Sequence, residues 1–227
     1  MDKFEITNRI EKFAPLDFQE KWDCSGWLVQ TQRKDISKIL LALTVTENIV
    51  KQAIEKNCDM IISHHPLFSV PLDFKNIDIY CAHTNLDKAK GGTTDTLISK
   101  LFGQIKTEKE EFLRYINTEI TIKDFIEKLR KISPNLRYTN NSGIKILKKI
   151  AFCAGSGSEF ISEAFQNSAD ALVTGDLKFH TAIESPITIF DIGHFESEIL
   201  ILEIFEKIIG NNVEIIRAKE NSPFIYP

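Results

Sequence analysis

The sequence predicts an α/β protein with largely parallel sheets flanked by helices, organised as two lobes. Short continuous apolar runs alternate with amphipathic segments along the chain, which is the pattern of strands and helices in a sheet covered on both faces. A run of charged residues, KTEKEE at 106–111, separates two halves of similar organisation. We therefore expect a first lobe over residues 1–108 and a second over 109–227, with C-terminal segments able to pack back on the first lobe.

The first half begins with an amphipathic helix. Phe4, Ile10 and Phe13 recur among charged residues at roughly helical spacing, and Pro15 cannot continue the helix. Further along, KILLALTV and CDMIIS are continuous apolar runs of strand length, typical of buried strands in a parallel sheet. The expected elements of this half are a helix at 3–13, a strand at 38–45, a helix ending near Lys56, strands at 58–63 and 78–84, a loop at 85–92 and a helix ending near Phe102.

The second half repeats the alternation. FLRYINTEI alternates apolar and polar residues like a half-buried strand, whereas ESEILILEIFEKII has the length of a long helix. The expected strands of this half lie at 112–120, 146–155, 169–176, 187–193 and 213–218. The expected helices lie at 121–132, 158–165, 177–184 and 196–209.

Composition narrows the classes of function. The 227 residues carry a formal net charge of -4 with a pI near 5.8, which argues against a generally basic surface for nucleic acid or an anionic membrane. We therefore do not expect nucleic acid or a membrane as a partner. The four cysteines are scattered without a C-x-x-C pair, as expected for buried thiols. We see neither the apolar core of a signal peptide nor a membrane span, and we expect a cytoplasmic protein.

The histidines mark the candidate site. All five fall at or just beyond the ends of predicted strands or in the following helix: His64, His65, His83, His180 and His194. In open α/β sheets, ligands gather at the carboxyl ends of the strands. Adjacent side chains on an extended segment diverge, so His64 and His65 can each face a different metal ion, although a polar strand end explains a lone His pair equally well.

Two further pairs add metal-binding groups. His83 and Asp87 follow the next predicted strand, and the carboxylate of Asp87 can bridge two cations, or simply cap the loop before the glycines. His194 and Glu198 are four residues apart, so on a helix they project from the same face and can supply two ligands to one metal site. An acidic helix N-terminus explains Glu196 well but leaves His194 unexplained.

Asp176 and His180 lie at another predicted strand end and can supply acid-base groups or support a metal ligand, or act merely as a helix cap. The loop Gly155-Ser156-Gly157-Ser158 follows a strand and enters a helix, where backbone amides can receive a phosphate. It lacks the P-loop and dinucleotide-binding patterns, so a plain strand-to-helix turn is the preferred explanation.

Taken together, six segments resemble the family of GTP cyclohydrolase 1 type 2 homologues, also known as the Nif-three-like proteins. They occur in the family's order from Trp22 to the C-terminus: KWDCSGWLV, ISHHPLF, AHTNLDKAKGG, ALVTGD, GHFESE and NSPFIY. The combination of the double histidine, H-T-N-L-D and G-H-x-x-S-E is far more specific than any one part. The chain departs from the family's glycine-asparagine pattern at 91–95, where GGTTD lacks the asparagine.

The resemblance implies a two-lobed α/β subunit with mixed sheets, a metal cleft between the lobes, and assembly into a homohexamer. The implied centre contains two divalent metal ions, with zinc, iron, manganese and cobalt all open. Carried over by motif, the metal ligands are His64, His65, Asp87, His194 and Glu198. The residues implied to line the surrounding pocket and serve catalysis are His83, Asp176 and His180.

Following the family name, our first hypothesis is a dinuclear metal-dependent hydrolase that opens the guanine ring of GTP with metal-activated water, while His83 or His180 shuttles protons. The first alternative is a metal-dependent hydrolase of phosphoesters or of another nucleotide. A second alternative, from a different class, is a non-enzymatic metal-binding ring protein that regulates a partner. The sequence leaves the substrate and the metal open.

Overall fold

The computed structural model describes residues 1–103 and 111–226, and its chain divides into two compact units. Unit 1 comprises Met1–Gly92 and Ile201–Asn221, and unit 2 comprises Thr93–Leu200 and Ser222–Pro227. The charge run at 106–111, and with it the expected lobe boundary at 108, falls almost entirely outside the described residues. Among the described residues, no helix combines the length and apolar character that crossing a membrane requires.

The strands of the described segments form two sheets. In chain order the strands are β1 (Gly26–Val29), β2 (Lys38–Thr44), β3 (Met60–His65), β4 (Asp78–Cys81), β5 (Arg114–Thr121), β6 (Arg137–Thr139), β7 (Ile146–Ser156), β8 (Ala171–Gly175), β9 (Thr188–Asp191) and β10 (Glu214–Arg217). The α-helices are α1 (Lys3–Phe13), α2 (Glu47–Glu55), α3 (Thr84–Lys88), α4 (Thr93–Phe102), α5 (Ile122–Leu129), α6 (Ile161–Gln166), α7 (Phe179–Glu184), α8 (His194–Glu198) and α9 (Leu202–Ile209).

Each unit contains one five-stranded sheet. The order in unit 1 is β1-β4-β3-β2-β10, with β1 antiparallel to β4 and the other pairs parallel. The order in unit 2 is β5-β7-β8-β9-β6, with parallel pairs in the centre and an antiparallel pair at each edge. The prediction of an α/β fold with mixed, largely parallel sheets flanked by helices is confirmed.

In unit 1 the parallel register brings the ends of three strands to one edge of the sheet. The strand β2 and the first half of β3 are apolar, and both strands are buried almost throughout, as expected for inner strands of the sheet. Thr44 pairs with His65, and Ser63 pairs with Cys81. The chain therefore leaves β4 beside the double histidine and enters α3 at its N-cap residue, His83.

In unit 2 the strands β7, β8 and β9 end at one edge in the same way. Thr174 pairs with Asp191, and Ser156 pairs with Gly175. A core of buried aromatic and aliphatic side chains, which includes Phe125 and Phe190, supports these strands. The segments that begin with Asp176 and with α8 consequently emerge from this edge.

Most expected elements are confirmed within a few residues, and four differences stand out. The strand β3 extends through His65, so both histidines lie in the strand. The expected loop at 85–92 contains most of α3. The amides of Leu86 and Asp87 in this helix donate to the carbonyl oxygen of His83. The expected long helix at 196–209 consists of α8, a 3-10 turn at Ile199–Ile201 and α9, and the break coincides with the boundary between the units. The short strands β1 and β6 were not predicted, because each is only three or four residues long.

Candidate metal centre

Three histidine rings of unit 1 form a cluster at the carboxyl edge of its sheet. One nitrogen from each of His64, His65 and His83 lies within 4.8 Å of those of the other two. Their ring centroids are 5.0 to 5.6 Å apart. His64 is completely buried, whereas His65 and His83 are partly exposed. The cluster therefore joins a buried imidazole to two that solvent can reach.

The hydrogen bonding of His64 prepares its ring for a metal ion. Its Nδ1 lies 2.9 Å from the carbonyl oxygen of Ala82, which can only accept, so the ring proton is on Nδ1 and Nε2 carries the lone pair. Nε2 lies 3.4 Å from Oδ1 of Asp87. Two ligand atoms, each about 2.1 Å from one tetrahedral ion, are separated by about 3.4 Å. The spacing of this pair is therefore that of two ligands to one ion.

The other two rings are also held at Nδ1. Nδ1 of His65 lies 2.5 Å from Oγ1 of Thr44, and Nδ1 of His83 donates to Oδ1 of Asp23 at 2.9 Å. A hydrogen bond at one ring nitrogen fixes the ring plane and leaves Nε2 to face the cluster. This is the arrangement that outer partners of metal-binding histidines commonly provide.

Asp23 is fixed by a dense set of donors. Besides His83 it accepts hydrogen bonds from the hydroxyl groups of Ser25 and Thr84 and from the backbone amide of Cys24. Burial raises the pKa of Asp23, but the hydrogen bonds from His83, Thr84 and Ser25 and the charge of His83 outweigh it and hold that pKa well below its usual range. Asp23 is thus a permanent carboxylate that orients His83.

In unit 2, His194 lies between two carboxylates. Its Nδ1 is 2.7 Å from Oδ2 of Asp176, and its Nε2 is 2.9 Å from Oε2 of Glu198, one helical turn further on, as the spacing predicts. Burial lowers the pKa of His194, but the hydrogen bonds and charges of Glu198 and Asp176 outweigh it and raise that pKa to about 9. When an imidazole faces two carboxylates in this way, a metal cation can replace a ring proton.

Backbone conformation supports this second group. Asp176 has a φ of 56°, a left-handed conformation that aspartate tolerates better than most residues and that aims its carboxylate at His194. Gly155 in β7 has a φ of 67°, and a Cβ there would overlap Oε1 of Glu198. The glycine therefore makes room for a carboxylate that is almost completely buried.

The loop at 155–158 uses its amides within unit 2. The amide of Gly155 donates to Oγ of Ser197, and that of Gly157 donates to Oγ1 of Thr174. These two groups are already satisfied, in agreement with the preferred explanation of a plain strand-to-helix turn. Asp95, the last residue of the segment 91–95 that lacks the family's asparagine, forms a buried ion pair with Arg114 at 3.0 Å.

His180 has a different environment from the other histidines. It lies on α7, is exposed, and packs its ring 5.4 Å from that of Phe179. Its catalytic role stays a prediction. Sequence reasoning missed Asp23 and Thr44, the groups that orient His83 and His65, because 60 and 21 residues separate the members of these pairs along the chain.

The donor chemistry fits a divalent metal ion. Imidazole nitrogens and carboxylate oxygens suit zinc, iron, manganese and cobalt, and the Nδ1 hydrogen bonds supply the outer support that such ligands need. The fold has two α/β units, and the edges of both sheets carry histidines and carboxylates. These features are those of a candidate metal-binding α/β protein.

Residues 1–223 match the family described as Duf34/NIF3 (NGG1p interacting factor 3), and the chain belongs to that family.

Relatives agree with this assignment, and a solved structure shares the fold. The chain is 33% identical to a GTP cyclohydrolase 1 type 2 homolog of Clostridium perfringens, over 97% of each chain, and 32% identical to one of Campylobacter jejuni, over 98% of each chain. The crystal structure of a Bacillus cereus protein related to NIF3 superposes with a TM-score of 0.83 at 20% identity, covering 100% of this chain and 99% of the other. At that identity the structural likeness supports the fold alone.

Proposed function

We propose that this protein is a dinuclear metal-dependent hydrolase. The proposed ligands of the two divalent ions are His64, His65, Asp87, His194 and Glu198. The observation that carries the proposal is the buried His64, whose Nδ1 proton is committed to Ala82 and whose Nε2 lies at ligand spacing from Asp87.

A pair of divalent ions lowers the pKa of bound water and stabilises negative charge on the attacked centre. The protein's own residues supply orientation and proton transfer. Asp23 keeps the proton of His83 on Nδ1, so Nε2 of His83 is the atom that accepts and returns a proton. Asp176 holds the ring of His194 through Nδ1 in a similar way.

The proposed reaction is the hydrolytic opening of the guanine ring of GTP. Its support is the name shared by the Clostridium perfringens and Campylobacter jejuni relatives, GTP cyclohydrolase 1 type 2 homolog, together with a site that contains metal-binding and acid-base groups. In this proposal His83 acts as the principal proton carrier, and the exposed His180 is a second candidate for that role.

The metal site is tested by measuring metal per chain with plasma mass spectrometry on untagged protein. We expect close to two equivalents in the native protein and a clear loss in His65→Ala and in Glu198→Ala. The exposed His180 serves as the matched control, and His180→Ala should retain the native metal content. Native-like metal in both ligand variants, or no metal after reconstitution, would overturn the dinuclear assignment.

The substrate is tested with the same proteins loaded with the identified metal. We expect formation of the ring-opened product from GTP by the native protein and no turnover by His65→Ala or Glu198→Ala. GTP consumption that is unchanged in these variants contradicts the proposal. A panel of phosphoesters and other nucleotides, assayed in parallel, identifies a hydrolase of different specificity.

Assembly into a homohexamer is part of the proposal that the family resemblance supplies. Light scattering coupled to size-exclusion chromatography measures it directly. We expect a mass near six times the 25.9 kDa of the chain. A monomer or dimer over the micromolar range would contradict this part, without bearing on the metal ligands.

A further inference from the structure

Unit 2 contains a cavity of about 300 Å³ that is lined in part by His194 and Asp176. Arg137 at the start of β6 lines it, as do Ser133 and Asn135, which precede that strand. Phe224 and Tyr226 of the C-terminal segment complete its wall. Its volume lies at the lower end of the range for small-molecule pockets, enough for a bicyclic ring but small for a complete nucleoside triphosphate.

The guanidinium of Arg137 is oriented at this cavity by two hydrogen bonds, although its side chain is 70% exposed. Its Nε donates to Oδ2 of Asp191 at 2.8 Å, and its Nη2 donates to the carbonyl oxygen of Leu177 at 2.7 Å. Asp191 is itself buried and also accepts from the amides of Leu177 and Gly193. Within the described part of the chain, Nη1 of Arg137 has no hydrogen-bond acceptor. This nitrogen of the planar guanidinium can therefore donate to a bound ligand.

Other polar side chains line the same cavity. The side chains of Ser133 and Asn135 form no hydrogen bond to the residues that the structure describes, although Ser133 is 4% exposed. The carboxylates of Asp191 and Asp176 line the same cavity as Arg137. Because these charges offset the guanidinium, the cavity offers hydrogen-bond donors and acceptors without a strong net positive charge.

The two aromatic rings add a stacking surface. Phe224 is 66% exposed and Tyr226 is 51% exposed, while Ile225 between them is 94% exposed and does not line the cavity. Alternate residues of this segment thus turn their side chains towards the cavity, as expected for an extended chain. Exposed aromatic side chains next to fixed hydrogen-bonding groups are the usual means of holding a flat ring.

We propose that this cavity binds a planar heterocycle with a carbonyl edge, of the size of a purine. Its ring lies against Phe224 and Tyr226, its carbonyl oxygen accepts from Nη1 of Arg137, and its remaining polar atoms meet Ser133 and Asn135. The balanced charge favours a neutral ring over a phosphate group as the occupant. The inference rests on the proposed function only in taking His194 as a ligand of the neighbouring metal ion.

The test is the dissociation constant of guanosine, a probe that has the heterocycle and no phosphate, measured by calorimetry on the full-length protein. We expect Phe224→Ala combined with Tyr226→Ala to weaken binding about tenfold or more, because each stacked ring contributes substantially to base binding. Arg137→Lys keeps the positive charge but loses the planar fork, and it should weaken binding to a similar degree. Ile225→Ala is the matched control and should bind guanosine like the native protein.

Three results would overturn the inference: no guanosine binding by the native protein, native-like binding by the double aromatic variant, or tripolyphosphate binding that depends on Arg137 more strongly than guanosine binding does. Metal content measured on the same preparations separates this inference from the proposed function. If the protein binds two metal equivalents but the aromatic substitutions do not change guanosine binding, only the cavity assignment is contradicted. If the protein binds no metal but guanosine binding requires the two aromatic rings, the dinuclear hydrolase proposal is contradicted and the cavity assignment is supported.

Discussion

Gly155 and Glu198 occupy one space: a side chain on the glycine would overlap the carboxylate of the glutamate. Since Glu198 is 4% exposed, its carboxylate would have to shift within a packed environment to admit even a methyl group. The absence of a side chain at Gly155 therefore determines where the carboxylate of Glu198, a proposed metal ligand, can lie.

We expect Gly155→Ala to lower metal content while leaving the protein folded. The carboxylate of Glu198 is the flexible end of a side chain, so the cost falls on its position more than on the fold. Gly143→Ala is the matched control, because Gly143 has the same φ of 67° but open space where a Cβ would be. Both variants bear the backbone strain of about 1–2 kcal/mol. Equal metal content in the two would contradict the steric argument.

Asp23→Asn should lower turnover and remove a pH-dependent part of stability. Because the native pKa of Asp23 is depressed below its ordinary 3.8, its carboxylate stabilises the fold above about pH 4, and this stabilisation is lost as pH falls below 3.8. The difference in unfolding free energy between native protein and variant should therefore be present at pH 7 and shrink on acidification.

Urea denaturation followed by circular dichroism between pH 3 and pH 7 measures this difference. Asp17→Asn is the control, since Asp17 is exposed and lies six residues away on the same stretch of chain. A difference between native protein and Asp23→Asn that stays constant across this range would show that the charge of Asp23 does not stabilise the fold.

Lys3→Met should be strongly destabilising. Lys3 and Asp78 form an ion pair at 3.1 Å with side chains that are 3% and 0% exposed, and Asp78 also accepts from the amide and hydroxyl groups of Thr31. Removing one member leaves a buried charge without its partner, at a cost of about 3–5 kcal/mol. Lys51→Met, which breaks an exposed ion pair with Glu47, should show no resolvable change in the urea midpoint.

Phe125→Ala should destabilise unit 2 by about 3–5 kcal/mol, because it leaves a cavity in the core. The side chain of Phe125 is completely buried, and its ring packs edge-to-face against that of Phe190 with centroids 5.0 Å apart. Phe165→Ala provides the comparison, since that ring is 53% exposed and loses less contact. Similar urea midpoints for the two variants would contradict the assigned core.

The local features of this protein could be predicted from its sequence, and the long-range ones could not. The helix α1 follows from the spacing of Phe4 and Ile10, and the helical pairing of His194 with Glu198 follows from their separation. The contact of Asp23 with His83 depends on the register of strands far apart in the chain, which local periodicity does not encode. For the same reason the acceptors that hold Arg137, on Asp191 and Leu177, could not be foreseen.

The last strand, β10, completes a sheet whose other strands were all made before residue 82. During synthesis, the strands of unit 2 are all available once residue 191 has left the ribosome, whereas β2, which already has β3 on one side, lacks its second parallel neighbour β10 until residue 217 has emerged. Unit 2 can therefore reach its native pairing while unit 1 still has an open edge. A chain whose synthesis stops between these two points would expose the unpaired edge of β2, a surface prone to intermolecular strand addition.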